Sequence, residues 1–178
     1  MMISRILIEA LIVLPAFMTI GTTPIVDDEI ELKAVPAKVM AAVKTKFPNA
    51  VLNKAYKEVE DGKTMFEIEA KESDKGLDLA VTPEGVITEI ERELDPKGLA
   101  KPVLAAIVAK FPGSTIKSAE SVETLKDGKM VKTIEAMVVD KDKETYAVVL
   151  SPEGKILKSD EVEDDDKKDG EKDDDEKK

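Results

Sequence analysis

The fold is decided by two stretches that read alike, VMAAVKTKFPNA at residues 39–50 and VLAAIVAKFPGS at residues 103–114. In each stretch the apolar residues recur at intervals of three and four, which predicts a helix with one buried face. A proline ends each helix, because its ring cannot continue the backbone hydrogen bonding. The phenylalanine just before each proline, Phe47 or Phe111, is predicted to lie in the core.

The segment that follows each helix is predicted to form four antiparallel strands. An Asp-Gly pair at residues 61–62 and again at 127–128 marks a tight hairpin, since both residue types tolerate positive φ angles. A Pro-Glu-Gly turn comes later, at residues 83–85 and again at 152–154. Apolar and charged residues alternate between the turns, so one face of each sheet is expected to meet its helix. The predicted fold class is therefore α+β, a tandem repeat of a helical segment packed on a four-stranded antiparallel β-meander.

The same segments resemble a known family. A helix that ends in Lys-Phe-Pro, then an Asp-Gly-Lys hairpin and a Pro-Glu-Gly turn, is similar to the pattern of the PepSY-like family, described as beta-lactamase-inhibitor-like. The likeness covers residues 32–95 and 96–160, interpreted as two PepSY-like repeats. It implies an exported bacterial domain that binds or restrains other proteins outside the cytoplasm. No inhibitory residue is carried over, because the chain has no cysteine and no aromatic residue in its Asp-Gly turns.

Both ends of the chain are predicted to lie outside these repeats. Residues 1–21 place Arg5 before a short apolar run with small residues at its exit, which favours a secretory signal peptide. The alternatives are a retained membrane anchor and a helix packed on the domain. Residues 22–31 are interpreted as a linker. Residues 161–178 are interpreted as a disordered acidic tail, because they offer too little apolar surface to offset the entropy of ordering.

The composition argues against most kinds of catalysis. The chain contains no histidine, cysteine or tryptophan. This removes Ser-His-Asp and Cys-His nucleophiles, thiol redox chemistry and nearly every zinc, copper or haem site. Glutamate pairs remain, and such pairs can do acid–base work when one member is buried, but alternating charges on a sheet are normally solvated. The pairs are Glu67 with Glu69 and Glu89 with Glu91. We therefore predict no enzyme and no catalytic, cofactor-binding or metal-binding residue.

One calcium-like pattern lies in the acidic tail. Asp165, Asp169, Gly170 and Glu176 match four positions of an EF-hand loop. Lys167 stands where a third oxygen ligand is needed, and no apolar helices flank the run. The pattern therefore predicts no specific calcium site, while diffuse association of Ca²⁺ with the tail stays open.

Charge and export together define the predicted function. The formal net charge is −11, and 3% of the residues are aromatic, which disfavours nucleic acid as a partner. The chain is predicted to be an exported, periplasmic or secreted, non-catalytic binding module. It would engage or inhibit an extracytoplasmic protein or peptide, with no stable membrane span in the mature chain. The alternative is a periplasmic cation- or surface-binding domain that uses exposed carboxylates and the acidic tail. The oligomeric state is left open.

Overall fold

A computed structural model of the chain describes residues 26–60 and 62–162. The predicted signal peptide and residues 163–178 of the predicted acidic tail lie outside these residues. Glu161 and Val162, which were also assigned to the disordered tail, instead belong to the last strand. In the described part, nine strands form one antiparallel sheet in which each strand pairs with the next along the chain. The strands are β1 (Val26–Ile30), β2 (Val51–Glu60), β3 (Lys63–Glu72), β4 (Lys75–Val81), β5 (Ile87–Leu94), β6 (Thr115–Lys126), β7 (Lys129–Val139), β8 (Thr145–Leu150) and β9 (Ile156–Val162). Two α-helices complete the fold, α1 (Ala37–Lys46) and α2 (Lys101–Lys110).

The predicted fold class, a tandem repeat of helix-on-four-strand units, is wrong. Strands β5 and β6 pair directly, from Glu89 opposite Thr124 to Leu94 opposite Ala119, so the sheet runs without a break through its centre. Separate four-stranded units would leave the backbone N–H and C=O groups of both strands unpaired at exposed edges. Pairing the two edges satisfies these groups and yields a single sheet. Glu93 and Leu94, at the end of the first predicted repeat, belong to β5.

The first strand was missed by the sequence analysis. Residues 22–31 were interpreted as a linker, yet Val26–Ile30 form β1 and pair with β2, from Val26 opposite Val59 to Ile30 opposite Ala55. Its sequence, VDDEI, has only apolar ends and three acidic residues between them, which gives little strand signal. Pairing with β2 supplies the hydrogen bonds that favour the extended conformation, and Ile30 packs against the core.

The helices form where the sequence predicts them. Val39 and Val43 are fully buried in α1, and Val103 and Ile107 are nearly so in α2. Each helix ends on its phenylalanine, whose N–H donates to a carbonyl one turn earlier, and the proline that follows stops the chain from continuing. The side chain of Asp95, which precedes α2, accepts a hydrogen bond from the N–H of Lys97. It therefore caps the short 3₁₀ helix Pro96–Gly98 that precedes α2.

Both helices cover the same face of the sheet. The α1 core joins buried residues of β2–β5, and the α2 core joins buried residues of β6–β8. Strand β5 contributes Ile90 to the first core, and Leu94 packs against the second. These two positions are four residues apart and so lie on one face of the strand. The opposite face of the sheet faces away from both helices.

Two tight turns of the sheet pack directly against the first turns of the helices. Gly85 in the β4–β5 turn has φ +87° and lies against the carbonyl oxygen of Lys38 in α1. Gly154 in the β8–β9 turn has φ +88° and lies against the carbonyl oxygen of Pro102 in α2. A side chain at either site would collide with the first turn of the helix. The two Pro-Glu-Gly motifs therefore mark packing contacts as well as chain reversals.

Candidate interaction surface on the open face of the sheet

The face of the sheet opposite the helices, here called the open face, is the candidate functional site. Side chains alternate along a strand, so the residues between the buried core positions lie on this face. In β3 the core positions are Phe66, Ile68 and Ala70, which places Glu67 and Glu69 on the open face. No described helix packs against it, and many of its residues are half-buried.

Eight acidic residues from five adjacent strands meet at the centre of the open face. We call this set the carboxylate patch. Register places Glu69 opposite Asp78, Asp78 opposite Glu91, and Glu93 opposite Glu120. The patch consists of Glu67, Glu69, Asp78, Glu89, Glu91, Glu93, Glu120 and Glu135.

Hydrogen bonds hold part of the carboxylate patch in place. The hydroxyl of Thr124 donates to Oε2 of Glu89 at 3.1 Å, across the β5–β6 pairing. The backbone N–H of Gly76 donates to Oε2 of Glu93 at 3.1 Å. Lysines lie at the rim, where Lys54 forms an ion pair with Glu29 at 3.7 Å. Two members of the patch are thus held by hydrogen bonds from neighbouring strands.

The crowding of these carboxylates changes their acidity. Burial raises the pKa of Glu91 to about 8, and the charge of Glu89 adds to the rise. Burial also raises the pKa of Glu120, with the charge of Glu93 adding to it. Burial also raises the pKa of Glu135, and the charge of Glu89 adds to the rise. Glu91 therefore holds a proton that an isolated carboxyl group would release at neutral pH.

An apolar strip continues the open face on the C-terminal side of the patch. Val122 is 6% exposed and Ala147 is 4% exposed, and both lie on this face. Met137 lies opposite Ala147, and Val149 lies opposite Glu135. We call these four residues the apolar strip. Together the carboxylate patch and the apolar strip make a surface of mixed chemistry, as protein interfaces have.

The structure brings together the residues that the sequence analysis singled out on the strands. Glu67, Glu69, Glu89 and Glu91 all belong to the carboxylate patch. Their interpretation as an ordinary solvated face was wrong for Glu91, because the pairing of β5 with β6 buries it. Glu120 and Glu135 were missed, although their alternation with apolar residues in β6 and β7 places them on this face. The EF-hand-like positions from Asp165 to Glu176 lie outside the described residues.

Metal and membrane features were sought in the described residues. Across residues 26–60 and 62–162 no group of three or more acidic side chains has the geometry to hold a metal ion. In the same part of the chain, neither helix has the length and hydropathy that a membrane crossing requires.

Comparison with known proteins identifies the fold. No family model matches the chain, and no curated protein matches it. Among solved structures, a DUF2874 family protein from Bacteroides uniformis is 15% identical, with a TM-score of 0.58, covering 71% of this chain and 89% of that one. A BLIP-like protein from Bacteroides fragilis is 16% identical, with a TM-score of 0.58, covering 73% and 90%. A protein from Bacteroides eggerthii, provisionally described as periplasmic, is 14% identical, with a TM-score of 0.59, covering 72% and 89%. The chain thus shares the fold of these proteins.

Proposed function

We propose that this protein is a non-catalytic binding module that acts outside the cytoplasm, and that its open face binds a protein or peptide carrying basic residues. The observation that carries the proposal is the composition of that face, a carboxylate patch beside an apolar strip with no helix of the described chain over either. The similar fold of a BLIP-like protein supports protein binding, and the similar fold of a protein described as periplasmic supports the compartment. The predicted signal peptide at residues 1–21 points the same way.

The carboxylate patch favours a cationic partner for an energetic reason. Eight acidic groups on adjacent strands repel one another when they are ionised, and partial burial makes each charge costlier. A lysine or arginine side chain placed among them would relieve that repulsion and accept hydrogen bonds in return. Complementary charge of this kind increases the association rate and excludes acidic competitors.

Met137 and Val149, the two partly exposed members of the apolar strip, would supply the remaining affinity, because Val122 and Ala147 are already buried. They lie on a regular sheet that needs no rearrangement before binding. Covering apolar surface contributes about 25 cal/mol per Å² removed from water. A partner with an apolar segment beside a basic one would match both parts of the open face.

The proposal of a non-catalytic role rests on the chemistry of the side chains. Burial raises the pKa of Glu91 to about 8. A carboxyl group of that kind can act as a general acid where a cleft holds a substrate against it. Glu91 instead lies in the middle of a sheet face, among other acids. We therefore assign the raised pKa to crowding.

A photocrosslinking experiment tests the proposal. Benzoylphenylalanine is placed at Met137 on the open face or, as the matched control, at Val108 on the outer side of α2, which is 60% exposed. We expect one stoichiometric protein adduct from Met137 and none from Val108 when the chain is expressed with its signal segment in a bacterial host of its own kind. Adducts from Val108 alone, or none from either site, would contradict the proposal.

A charge variant then tests the role of the carboxylates with the captured partner. Glu120→Gln combined with Glu135→Gln keeps the side-chain shape and removes charge, and we expect binding to weaken about tenfold. Glu84→Gln combined with Glu153→Gln, at exposed turns, is the control and should bind normally. Stabilisation of the fold by calcium, lost in the first variant and kept in the second, would favour the cation-binding alternative instead.

A further inference from the structure

A cavity lies on the helix side of the sheet, beside the first turn of α2. Its volume is about 320 Å³, and it is partly open to solvent. Its apolar walls come from the end of β5, the start of α2 and the segment before it, β7 and the β8–β9 turn. They are Leu94, Leu99, Ala100, Val103, Ile134 and Pro152. The cavity is therefore separate from the carboxylate patch and the apolar strip, which lie on the opposite face.

The N-terminal half has an aromatic ring at the position that corresponds to Ile134 in this cavity. Phe66 of β3 lies opposite Val81, the last residue of β4, and Ile134 of β7 lies opposite Leu150, the last residue of β8. Val81 and Leu150 both come just before a Pro-Glu-Gly turn, so the two positions are equivalent. Phe66 is buried in the α1 core. An isoleucine fills less volume than a phenylalanine, and the cavity is found where this smaller residue stands.

The apolar walls of the cavity favour an apolar ligand. Side chains around an unfilled space lack dispersion contacts on one side, and apolar walls offer water no hydrogen bonds. An apolar cavity of about 150 Å³ in another protein binds benzene. A cavity of about twice that volume accommodates a ligand of roughly twelve carbon and oxygen atoms. The expected ligand is therefore a small molecule with a hydrocarbon chain.

Two lysine side chains add positive charge to the cavity. Lys75 at the start of β4 and Lys132 in β7 both line it, and both residues are exposed. Among the described residues, neither ammonium group forms an ion pair. Asp95 also lines the cavity, but its Oδ1 already accepts a hydrogen bond of 2.9 Å from the backbone N–H of Lys97. The excess of positive charge favours an anionic head group on the ligand.

We propose that this cavity binds an aliphatic carboxylate of medium chain length. The hydrocarbon chain lies against Val103 and Ile134, and the carboxylate pairs with Lys75 or Lys132. Each CH₂ group that leaves water strengthens binding about fourfold, so the chain supplies most of the affinity. The ammonium groups select an acid over an alcohol or a cation of the same length. This inference concerns the helix side only and does not depend on the function proposed for the open face.

Titration of the full chain with decanoate, below the concentration at which decanoate forms micelles, tests the proposal. We expect the NMR signals of Leu99, Val103 and Ile134 to shift and to saturate. Octanoate, which is shorter by two CH₂ groups, should bind about fifteenfold more weakly at the same residues. Decyltrimethylammonium has the same chain with the opposite charge and should give no saturable shift there. No shift at these residues, or equal binding by any two of the three compounds, would overturn the proposal.

A cavity-filling variant tests where the chain of the ligand lies. Ile134→Phe introduces the residue that the N-terminal half has at the equivalent position, and we expect decanoate binding to weaken about tenfold or more. Val131→Phe in the same strand is the matched control, because Val131 is 44% exposed and lies outside the cavity. It should bind decanoate normally. Normal binding by a folded Ile134→Phe variant would contradict the proposed position of the chain.

A charge variant tests the head group and decides the matter alone if Ile134→Phe does not fold. Lys75→Gln combined with Lys132→Gln should weaken decanoate binding about tenfold. Lys71→Gln combined with Lys129→Gln removes two exposed lysines that do not line the cavity and should leave binding unchanged. Equal binding by both double variants would overturn the proposal. An apolar peptide with a free C-terminal carboxylate that binds tenfold more tightly than decanoate would assign the cavity to a protein end and overturn the choice of a small acid.

Discussion

In the N-terminal half of the sheet, β2–β5, helix α1 ends on Phe47, whose ring lies 5.1 Å from the guanidinium of Arg92. In the C-terminal half, β6–β9, helix α2 ends on Phe111, whose ring lies 4.7 Å from that of Tyr146. Both helices begin against a turn glycine with φ near +87°. The halves therefore anchor their helices in the same way at one end and with different aromatic partners at the other.

The two halves differ more on the open side. The N-terminal half contributes six of the eight members of the carboxylate patch, and the C-terminal half contributes the other two and the whole apolar strip. Packing against a helix limits which residues fit on the covered side, whereas the open side has no such limit. The contrast indicates that the helix side determines the fold and leaves the residues of the open side free to vary with the proposed partner.

The largest expected effect concerns the turn glycine of each half that packs against its helix. A Cβ at Gly85 would lie 2.7 Å from the carbonyl oxygen of Lys38, and one at Gly154 would lie closer still to that of Pro102. We expect Gly154→Ala to lower the free energy of unfolding by about 3–5 kcal/mol and Gly85→Ala by about 2–4 kcal/mol. Urea denaturation followed by circular dichroism measures both losses.

The hairpin glycines are matched controls for those variants. Gly62 and Gly128 also have positive φ, +74° and +75°, but no atom lies within 4 Å of an added Cβ. Gly62→Ala and Gly128→Ala should each cost about 1 kcal/mol, because backbone strain acts alone there. Equal losses at all four glycines would contradict the packing of the turns against the helices.

The second prediction concerns the open side of the N-terminal half, where Glu91 should make the stability of the fold depend on pH. Because burial raises the pKa of Glu91 to about 8, the folded protein holds a proton that the unfolded chain releases nearer pH 4. The stability that this proton contributes is complete below about pH 4 and is lost as the pH rises through 8. Glu91→Gln should therefore raise the free energy of unfolding by about 3 kcal/mol at pH 9 and by little at pH 4.

Thermal and urea denaturation across that pH range measure the effect. Glu84→Gln, in the exposed β4–β5 turn, is the control and should show no difference between pH 4 and pH 9 in its effect on stability. A constant effect of Glu91→Gln at every pH would show that the carboxyl group is not buried among its acidic neighbours.

The smallest expected effect concerns the junction of the halves. Arg92 of β5 and Glu123 of β6 form an ion pair at 3.3 Å, with 33% and 27% of their side chains exposed. A double-mutant cycle with Arg92→Met and Glu123→Gln should give a coupling energy of about 0.5–1 kcal/mol. Arg92→Met should cost more than Glu123→Gln, because it also removes the contact with the Phe47 ring. A coupling energy of zero would contradict a stabilising ion pair across the junction.

Local features of the fold could be predicted from the sequence, and its long-range pairing could not. The helices at Ala37–Lys46 and Lys101–Lys110 follow from apolar spacing and from the prolines that stop them. Two hairpins follow from Asp-Gly pairs, whose residues tolerate positive φ, as Asp127 and Gly128 do in this fold. These signals act within a few residues of one another, and they indicate element type and order.

The continuous sheet depends on contacts that no local signal encodes. The pairing of β5 with β6 joins Glu93 to Glu120, two acidic residues whose direct opposition is unfavourable on its own. Strand β1 likewise has three consecutive acidic residues in place of the alternation of apolar and polar residues that predicts a strand. The carboxylate patch could be predicted only in part, because its central members come from strands that meet at this junction. The burial of Glu91 is a consequence of the same pairing.

Hydrogen exchange at the β5–β6 junction tests the central claim most directly, namely that both halves form one sheet with one open face. The account predicts that amides hydrogen-bonded between Glu89–Leu94 and Ala119–Thr124 exchange with an opening free energy within about 1 kcal/mol of that of the most protected core amides. Exchange at this junction as fast as in the exposed turns, while the two halves stay protected, would contradict it.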